Sequence, residues 1–134
     1  MYLFSNFRNL LLNFIERLEL KDIYLFMHEW GGTLGLTLPM ENINLYSGVI
    51  CFNSFLGNKS IKVSENYLNW INNNTNNEDL NVRALMARTN RILNLLECNA
   101  YEAPFPDKSF KLALKMLPKI FPLDNRNDGF NIIE

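Results

Sequence analysis

The first half of the chain alternates between helix-like and strand-like hydrophobic patterns. Over residues 3–19, apolar side chains recur at steps of three and four, which predicts an amphipathic helix with one buried stripe. Two short runs, residues 23–27 and Tyr46–Phe52, are apolar on both faces and rich in strand formers, as expected of buried parallel strands. Between them, three glycines open a second predicted helix that runs to residue 41. The order αβαβ predicts a parallel sheet with right-handed crossover connections.

The second half of the chain predicts helices only. Asn-rich loops separate helical stretches near residues 65–71, 80–88 and 92–97, and a turn at residues 103–107 precedes a helix over residues 108–116. We therefore divide the chain into an α/β part, residues 1–56, and a helical part, residues 57–134. Two strands that are apolar on both faces cannot cover their own edges, so the α/β part is interpreted as a piece of a larger sheet.

Composition and charge narrow the classes of partner. The 134 residues are 48% hydrophobic and 13% aromatic, enough for one globular domain with a sizeable core. Thirteen basic and fourteen acidic side chains give a formal net charge of −1. No block of like charge would follow phosphates or a lipid surface, so neither nucleic acid nor a membrane is expected as a partner. Cys51 and Cys98 match no zinc spacing and no secretory signal opens the chain, so a cytoplasmic location is expected.

An acidic residue, Glu29, lies in the stretch FMHEWGGTLGLTLPM between the first predicted strand and the glycines. A zinc-protease HExxH site is excluded, because the residue four after His28 is Gly32 and the chain holds one histidine. Two interpretations remain open. The carboxylate caps the following helix, which stabilises it by about 0.5–2 kcal/mol, or it sits on a nucleophile elbow that pushes the side chain out at the carboxyl edge of the sheet. The elbow predicts a strand ending near His28, a helix starting near Trp30, and Gly31 or Gly32 packed against a neighbouring element.

Segments along nearly the whole chain resemble one enzyme family. They are FRNLLLNFIERLELKDIYL before the turn, HEWGGTLGLTLPM at the turn, CFNSFL at the end of the second strand, NYLNW, and AYEAPFPDKSFKLALKMLPKIFP. Together they resemble the haloalkane dehalogenases of the α/β-hydrolase superfamily, most closely the first subfamily. The acid-Trp-Gly-Gly motif alone would also fit epoxide hydrolases, whereas GLTLPM together with APFPD is more specific. The resemblance implies the fold class: a fragment of an α/β-hydrolase parallel sheet, two strands with flanking helices, followed by a helical cap.

The resemblance also implies roles for individual residues. In the family, an aspartate on the turn attacks the halogen-bearing carbon, and a histidine paired with an acid then activates water to hydrolyse the resulting ester, without metal or organic cofactor. The nucleophile position is Glu29 in this chain, and the two tryptophans implied to hold the departing halide are Trp30 and, in the cap, Trp70. The residues implied to line the substrate cavity are Tyr67, Leu117, Pro118 and Phe121, with core packing as the open alternative for the three apolar ones.

Three features depart from the family pattern. Glutamate replaces aspartate at residue 29, and the catalytic histidine and its acid partner are not found in these 134 residues. In the second subfamily the catalytic acid lies at the position of Asn53, whereas in the first subfamily it comes from later in the chain. An asparagine at residue 53 therefore agrees with the first subfamily. His28 is expected to pack or cap rather than to act as the base. We therefore expect a dehalogenase-like chain that is truncated at both ends and inactive on its own.

Three hypotheses for function remain from the sequence. The favoured one is an inactive remnant of a dehalogenase. The second is a split enzyme for small halogenated alkanes, in which a separately encoded partner chain completes the sheet and supplies the histidine. The third is a reused helical binding module, for which no surface motif is evident. In each case the open sheet is expected to make the isolated chain aggregate or bind a partner.

Overall fold

The computed structural model describes residues 2–54, 56, 63–77, 79–87, 91–122 and 127–133. The chain divides into two compact units, one formed by Met1–Val63 with Ile120–Glu134 and the other by Ser64–Lys119. The division into residues 1–56 and 57–134 stays a prediction. Among the described residues, no helix combines the length and the apolar character needed to cross a membrane.

Helix α1, Phe4–Arg17, opens the first unit. Its N-cap residue, Leu3, offers no capping side chain. Instead, the Asp128 carboxylate accepts hydrogen bonds from the backbone N–H groups of Phe4 at 3.0 Å and Ser5 at 2.9 Å. Burial opposes ionisation of Asp128, but the hydrogen bonds from Ser5 and Phe4 outweigh it and lower the pKa of that carboxyl. A residue near the end of the chain therefore completes the first helical turn.

Only part of the predicted apolar stripe of α1 is buried. Phe4 and Ile15 pack in the core, together with a charged residue, Arg8. The Arg8 guanidinium donates to Thr37 Oγ1 at 3.2 Å, to the Thr37 carbonyl at 3.0 Å and to Glu41 Oε1 at 2.6 Å. These bonds pair the buried charge and tie α1 to the segment after the second helix. Three other residues of the stripe, Leu10, Phe14 and Leu18, are exposed, so the prediction of one continuous buried stripe was wrong.

The sheet has two parallel strands, β1 at Ile23–His28 and β2 at Tyr46–Phe52, as predicted. Helix α2 connects them but spans only Trp30–Gly35, followed by short 3-10 helices at Leu38–Met40 and Ile43–Leu45. The prediction of one helix to residue 41 was therefore wrong. Proline has no N–H to donate, and Pro39 lies in the first of the 3-10 helices, where a continuing α-helix would need that bond.

The two faces of strand β1 differ in exposure. Met27 on β1 is buried, whereas its neighbours Tyr24 and Phe26 on the opposite face are 66% and 71% exposed. On β2, Ile50 pairs with Phe26 and Phe52 pairs with His28, which places both apolar side chains on that same exposed face. The prediction that the strands are buried on both faces was wrong, because among the described residues nothing covers this face.

The second unit is helical. It contains α3 at Glu65–Asn76, α4 at Val82–Met86, α5 at Leu95–Glu102, a 3-10 helix at Lys108–Lys111, and α6 at Leu112–Ile120, which ends at the boundary of the unit. The chain then finishes in the first unit with α7, Phe130–Ile133.

Asparagine and serine caps decide where several of these helices begin. Ser64, Asn81 and Asn94 each accept a hydrogen bond from a backbone amide in the first turn of the following helix. Asn94 forms a capping box with Glu97, so α5 starts at Leu95 rather than at residue 92 as predicted. The hydrogen bond from Arg91, together with the Asn94 backbone, lowers the pKa of Glu97 to about 2.

Candidate functional site

The turn at Glu29 joins the end of β1 to the start of α2. Glu29 has φ 53° and ψ −129°, a backbone conformation that costs a non-glycine residue about 1–3 kcal/mol. Four hydrogen bonds hold it: its N–H donates to the Phe52 carbonyl at 3.1 Å, and its carbonyl accepts from Ser54 Oγ at 3.0 Å and from the N–H groups of Gly32 at 3.0 Å and Thr33 at 3.4 Å. The end of β2 therefore fixes the turn from one side and α2 fixes it from the other.

A close approach between Gly32 and Ser54 accounts for one of the glycines. A Cβ atom at Gly32 would lie 2.0 Å from Ser54 Oγ and 2.2 Å from Ser54 Cβ, whereas a Cβ atom at Gly31 would meet nothing within 4 Å. The sequence-based prediction of a strand ending near His28, a helix starting near Trp30 and a packed glycine is confirmed.

The Glu29 carboxylate does not cap the helix that follows it. Glu29 is the N-cap residue of α2, yet its side chain accepts no hydrogen bond from the amides of that helix. The side chain is 57% exposed, and His28 Nε2 lies 4.0 Å from Glu29 Oε1. The capping interpretation, which was the simpler alternative, is therefore wrong. The strained turn presents the carboxylate outward at the carboxyl end of β1.

An aromatic pair stands next to this turn in the first unit. The indole of Trp30 and the ring of Phe121 have centroids 5.9 Å apart and are tilted by 40°. Phe121 is buried and Trp30 is half-buried. Two of the residues assigned by resemblance, one to the halide site and one to the cavity lining, are thus brought together beside Glu29.

The other residues assigned by resemblance belong to the second unit. Tyr67 and Trp70 lie one turn apart on α3, and their rings stack with centroids 6.0 Å apart. Trp70 is 40% exposed and Tyr67 is half-buried. On α6, Leu117 is half-buried and Pro118 is buried. The proximity of Trp30 and Trp70 around one cavity stays a prediction.

Sequence reasoning missed Ser54, which bonds both the Glu29 and Phe52 carbonyls. The Asn53-Ser54 pair directly after β2 indicates a tight turn, because Asn and Ser favour such turns, but the pair does not identify Glu29 as the partner of Ser54. As for metals, the described part of the chain contains no group of three His, Cys, Asp or Glu side chains that could hold an ion.

The chain was compared with known proteins. It is 28% identical over 122 residues to a haloalkane dehalogenase of Psychrobacter cryohalolentis, covering 90% of this chain and 40% of that protein. A haloalkane dehalogenase of Mycolicibacterium paratuberculosis is 25% identical over 111 residues, covering 82% of this chain and 37% of that protein. Among solved structures, haloalkane dehalogenase DpaA from Paraglaciecola agarilytica NO2 matches with a TM-score of 0.82 at 33% identity. The chain is homologous to the haloalkane dehalogenases.

The match to the DpaA dehalogenase covers 98% of this chain and 44% of that one. Haloalkane dehalogenase DatA from Agrobacterium tumefaciens C58 has a TM-score of 0.69 at 18% identity, which supports the fold alone. No protein-family model matches. The dehalogenase-like chain thus spans less than half the length of these relatives, and its parallel strands with flanking helices are part of an α/β-hydrolase fold.

Proposed function

We propose that the first unit carries the nucleophile elbow of a haloalkane dehalogenase-like hydrolase, with Glu29 at the position of the attacking carboxylate. The observation that carries the proposal is the strained turn: Glu29 adopts φ 53° and exposes a carboxylate that does not cap α2. Strain of this kind persists only where surrounding contacts hold it, and here Phe52 and Ser54 do so.

The first chemical step follows from this geometry. A carboxylate oxygen of Glu29 attacks the carbon that bears the halogen, the ester C–O bond forms, and the halide leaves with the electron pair of the broken bond. An indole N–H donates without accepting, which suits a departing anion, so Trp30 and Trp70 are the proposed halide donors. Tyr67, Leu117, Pro118 and Phe121 are the proposed lining of the cavity. The extra methylene of glutamate displaces the carboxylate by about 1 Å, an error that can cost roughly a hundredfold in rate.

The second step, hydrolysis of the ester, needs a base that holds a water molecule against the ester carbonyl. The only histidine in the sequence is His28, and its Nε2 lies 4.0 Å from Glu29 Oε1. His28 directly precedes the nucleophile position and its side chain is 63% exposed, whereas the base of the family comes from later in the chain and is paired with an acid. We therefore propose that these 134 residues on their own do not turn over haloalkanes.

The test is halide release by the purified chain incubated with a small bromoalkane, with intact-protein mass measured alongside. We expect at most one bromide per chain, with any alkyl adduct mapping to Glu29 and lost in Glu29→Gln. Glu19→Gln is the matched control, because Glu19 is also an exposed acid with positive φ, 50°, but lies at the end of α1. Glu29→Asp should not produce turnover, since it leaves the second step without a base.

Two results would decide against the proposal. Sustained halide release by the soluble monomer, abolished by Glu29→Gln, would show that the chain hydrolyses the ester. An adduct equally abundant in the parent chain and in Glu29→Gln would remove Glu29 from the nucleophile position. A partner chain that supplies the base, the second hypothesis from the sequence, would instead make release exceed one equivalent only after the two chains are mixed.

A further inference from the structure

The two strands end at the same level of the sheet, and each is followed by a non-glycine residue with positive φ. His28, the last residue of β1, pairs with Phe52, the last residue of β2. Glu29 follows the first with φ 53°, and Asn53 follows the second with φ 47°. Positive φ is uncommon for residues that carry a side chain, and it persists where neighbouring contacts hold it. Two such turns therefore lie side by side at the carboxyl edge of the sheet.

The hydroxyl of Ser54 connects these two turns. Its oxygen lies 3.0 Å from the Glu29 carbonyl and 2.9 Å from the Phe52 carbonyl. The Phe52 carbonyl is also the group that accepts the Glu29 N–H, at 3.1 Å. A hydroxyl carries one proton, which it shares between two acceptors or gives to one of them at a time. One side chain after β2 thus contacts both carbonyls on which the turn at Glu29 depends.

These contacts fix the direction in which the Glu29 side chain leaves the backbone. A peptide group is planar, so the Cα–Cβ bond of a residue is oriented once the peptide planes before and after it are held. The plane before Glu29 is held through its N–H by the Phe52 carbonyl. The plane after it is held through its carbonyl, which accepts from Ser54 and from two amides of α2, those of Gly32 and Thr33. The two amides move with α2, so Ser54 is the donor that ties this carbonyl to the end of β2.

The packing around Gly32 leaves room for this hydroxyl. A Cβ atom at Gly32 would lie 2.0 Å from Ser54 Oγ, so the hydroxyl occupies the space that a side chain at residue 32 would fill. We propose that Ser54 is a positioning residue, whose hydroxyl holds the turn at Glu29 and thereby aims the attacking carboxylate. The aiming of the carboxylate rests on the function proposed for Glu29, whereas the holding of the turn is independent of it.

The first experiment measures amide hydrogen exchange of the purified chain by NMR. Ser54→Val and Ser54→Thr form a matched pair, because the two side chains have nearly the same shape and differ in the hydroxyl. The Glu29 and Thr33 amides should exchange about 2- to 10-fold faster in Ser54→Val than in Ser54→Thr, the factor that corresponds to one hydrogen bond. The amides of α1 should exchange equally in both. Ser47→Ala, at an exposed serine near the amino end of β2, should leave exchange at Glu29 unchanged.

The second experiment follows alkylation of Glu29 by a small bromoalkane at increasing concentrations. A serine that only stabilises the fold would change the amount of reactive chain and not the limiting rate of adduct formation. A carboxylate misplaced by about 1 Å should instead form the adduct about 10- to 100-fold more slowly at saturation in Ser54→Val than in Ser54→Thr. The bromoalkane concentration that gives half the limiting rate should be the same in both, because the serine does not bind the substrate.

The two measurements distinguish failure of the positioning role from failure of the proposed function. If no variant forms an adduct, the nucleophile proposal fails, and the exchange rates still decide whether Ser54 holds the turn. Equal exchange at Glu29 in the valine and threonine variants would overturn the positioning role, and so would equal limiting rates of adduct formation. If circular dichroism shows that valine disturbs the fold, Ser54→Ala, which adds no atoms, is compared with the parent chain in its place.

Discussion

Two adjacent glycines of α2 give a matched test of how the turn at Glu29 is packed. A Cβ atom added at Gly32 would lie 2.0 Å from Ser54 Oγ and 2.2 Å from Ser54 Cβ, whereas one added at Gly31 would meet nothing within 4 Å. Neither glycine has a positive φ, so both backbones accept alanine. The substitutions Gly31→Ala and Gly32→Ala therefore differ in packing and in little else.

The size of the difference follows from the contact with Ser54. Gly31→Ala should stabilise the chain by about 0.4–1 kcal/mol, because alanine restricts the unfolded chain more than glycine does. Gly32→Ala gains the same contribution, but its overlap with Ser54 Cβ cannot be relieved by a side-chain rotation, so α2 and the end of β2 must separate. Overpacking costs about 1–3 kcal/mol, and a contact this short belongs in the upper part of that range. We expect the free energies of unfolding of the two variants to differ by about 2–3 kcal/mol.

Urea unfolding followed by tryptophan fluorescence measures this difference, which corresponds to roughly 10–20 °C in Tm for a unit of this size. Ser54→Gly in the Gly32→Ala background should restore part of the loss, because it removes the obstructing Cβ atom but also the hydroxyl that donates to the Glu29 carbonyl. Ser54→Ala should not restore it. Equal stability of Gly31→Ala and Gly32→Ala would refute the reasoning, since it would mean that Gly32 does not approach Ser54 as described.

Two further predictions concern charged groups. Asp128→Ala should lower the free energy of unfolding at pH 7 by about 0.5–2 kcal/mol, because the amides of Phe4 and Ser5 lose their acceptor. The pKa of Asp128 is lowered in the folded chain, so this stabilisation is complete above the unfolded pKa of about 3.9 and is lost as the pH falls through the lower folded pKa. If the difference in free energy of unfolding between Asp128→Ala and the parent chain stayed the same in strong acid, this pH dependence would be contradicted. Asp79→Ala should cost about 1–3 kcal/mol, because it leaves the buried ammonium of Lys111 without the partner it meets at 2.6 Å. Lys111→Met should lower the free energy of unfolding by less than Asp79→Ala does, because methionine keeps the apolar stem and the Asp79 carboxylate left behind is exposed. Urea titrations in which Lys111→Met is the more destabilising of the two would show that Asp79 and Lys111 are not paired as described.

Local patterns predicted the sheet and the turn well. The bounds of β2 at Tyr46–Phe52 follow from a run of strand formers between polar segments, and the turn at Glu29 follows from an acid placed before glycines. The length of α2 was overestimated, because hydrophobic period alone does not register that Pro39 interrupts the hydrogen bonding of a helix. The start of α5 was misplaced for a similar reason, since the capping box of Asn94 outweighs the apolar residues just before it.

Contacts between distant parts of the chain could not be predicted from period and composition. The glycines after Glu29 predicted that one of them packs closely against another element, but the sequence did not identify Ser54 as the residue that Gly32 contacts. The pairing of Trp30 with Phe121 joins positions 91 residues apart, and only the resemblance to a known family placed the two in one site. The burial of α1 was misjudged likewise, because an amphipathic pattern tells which side of a helix is apolar but not how much of that side meets a partner.

The carboxylate that completes the first turn of α1 lies 124 residues further along the chain than the amide it accepts from. During synthesis, α1 therefore leaves the ribosome long before Asp128 has been added, and its first amides remain bonded to water until then. Closing a loop of that length also costs conformational entropy, which only the finished packing around Phe4 repays. The two hydrogen bonds that complete the first turn of α1 therefore cannot form until translation has passed residue 128.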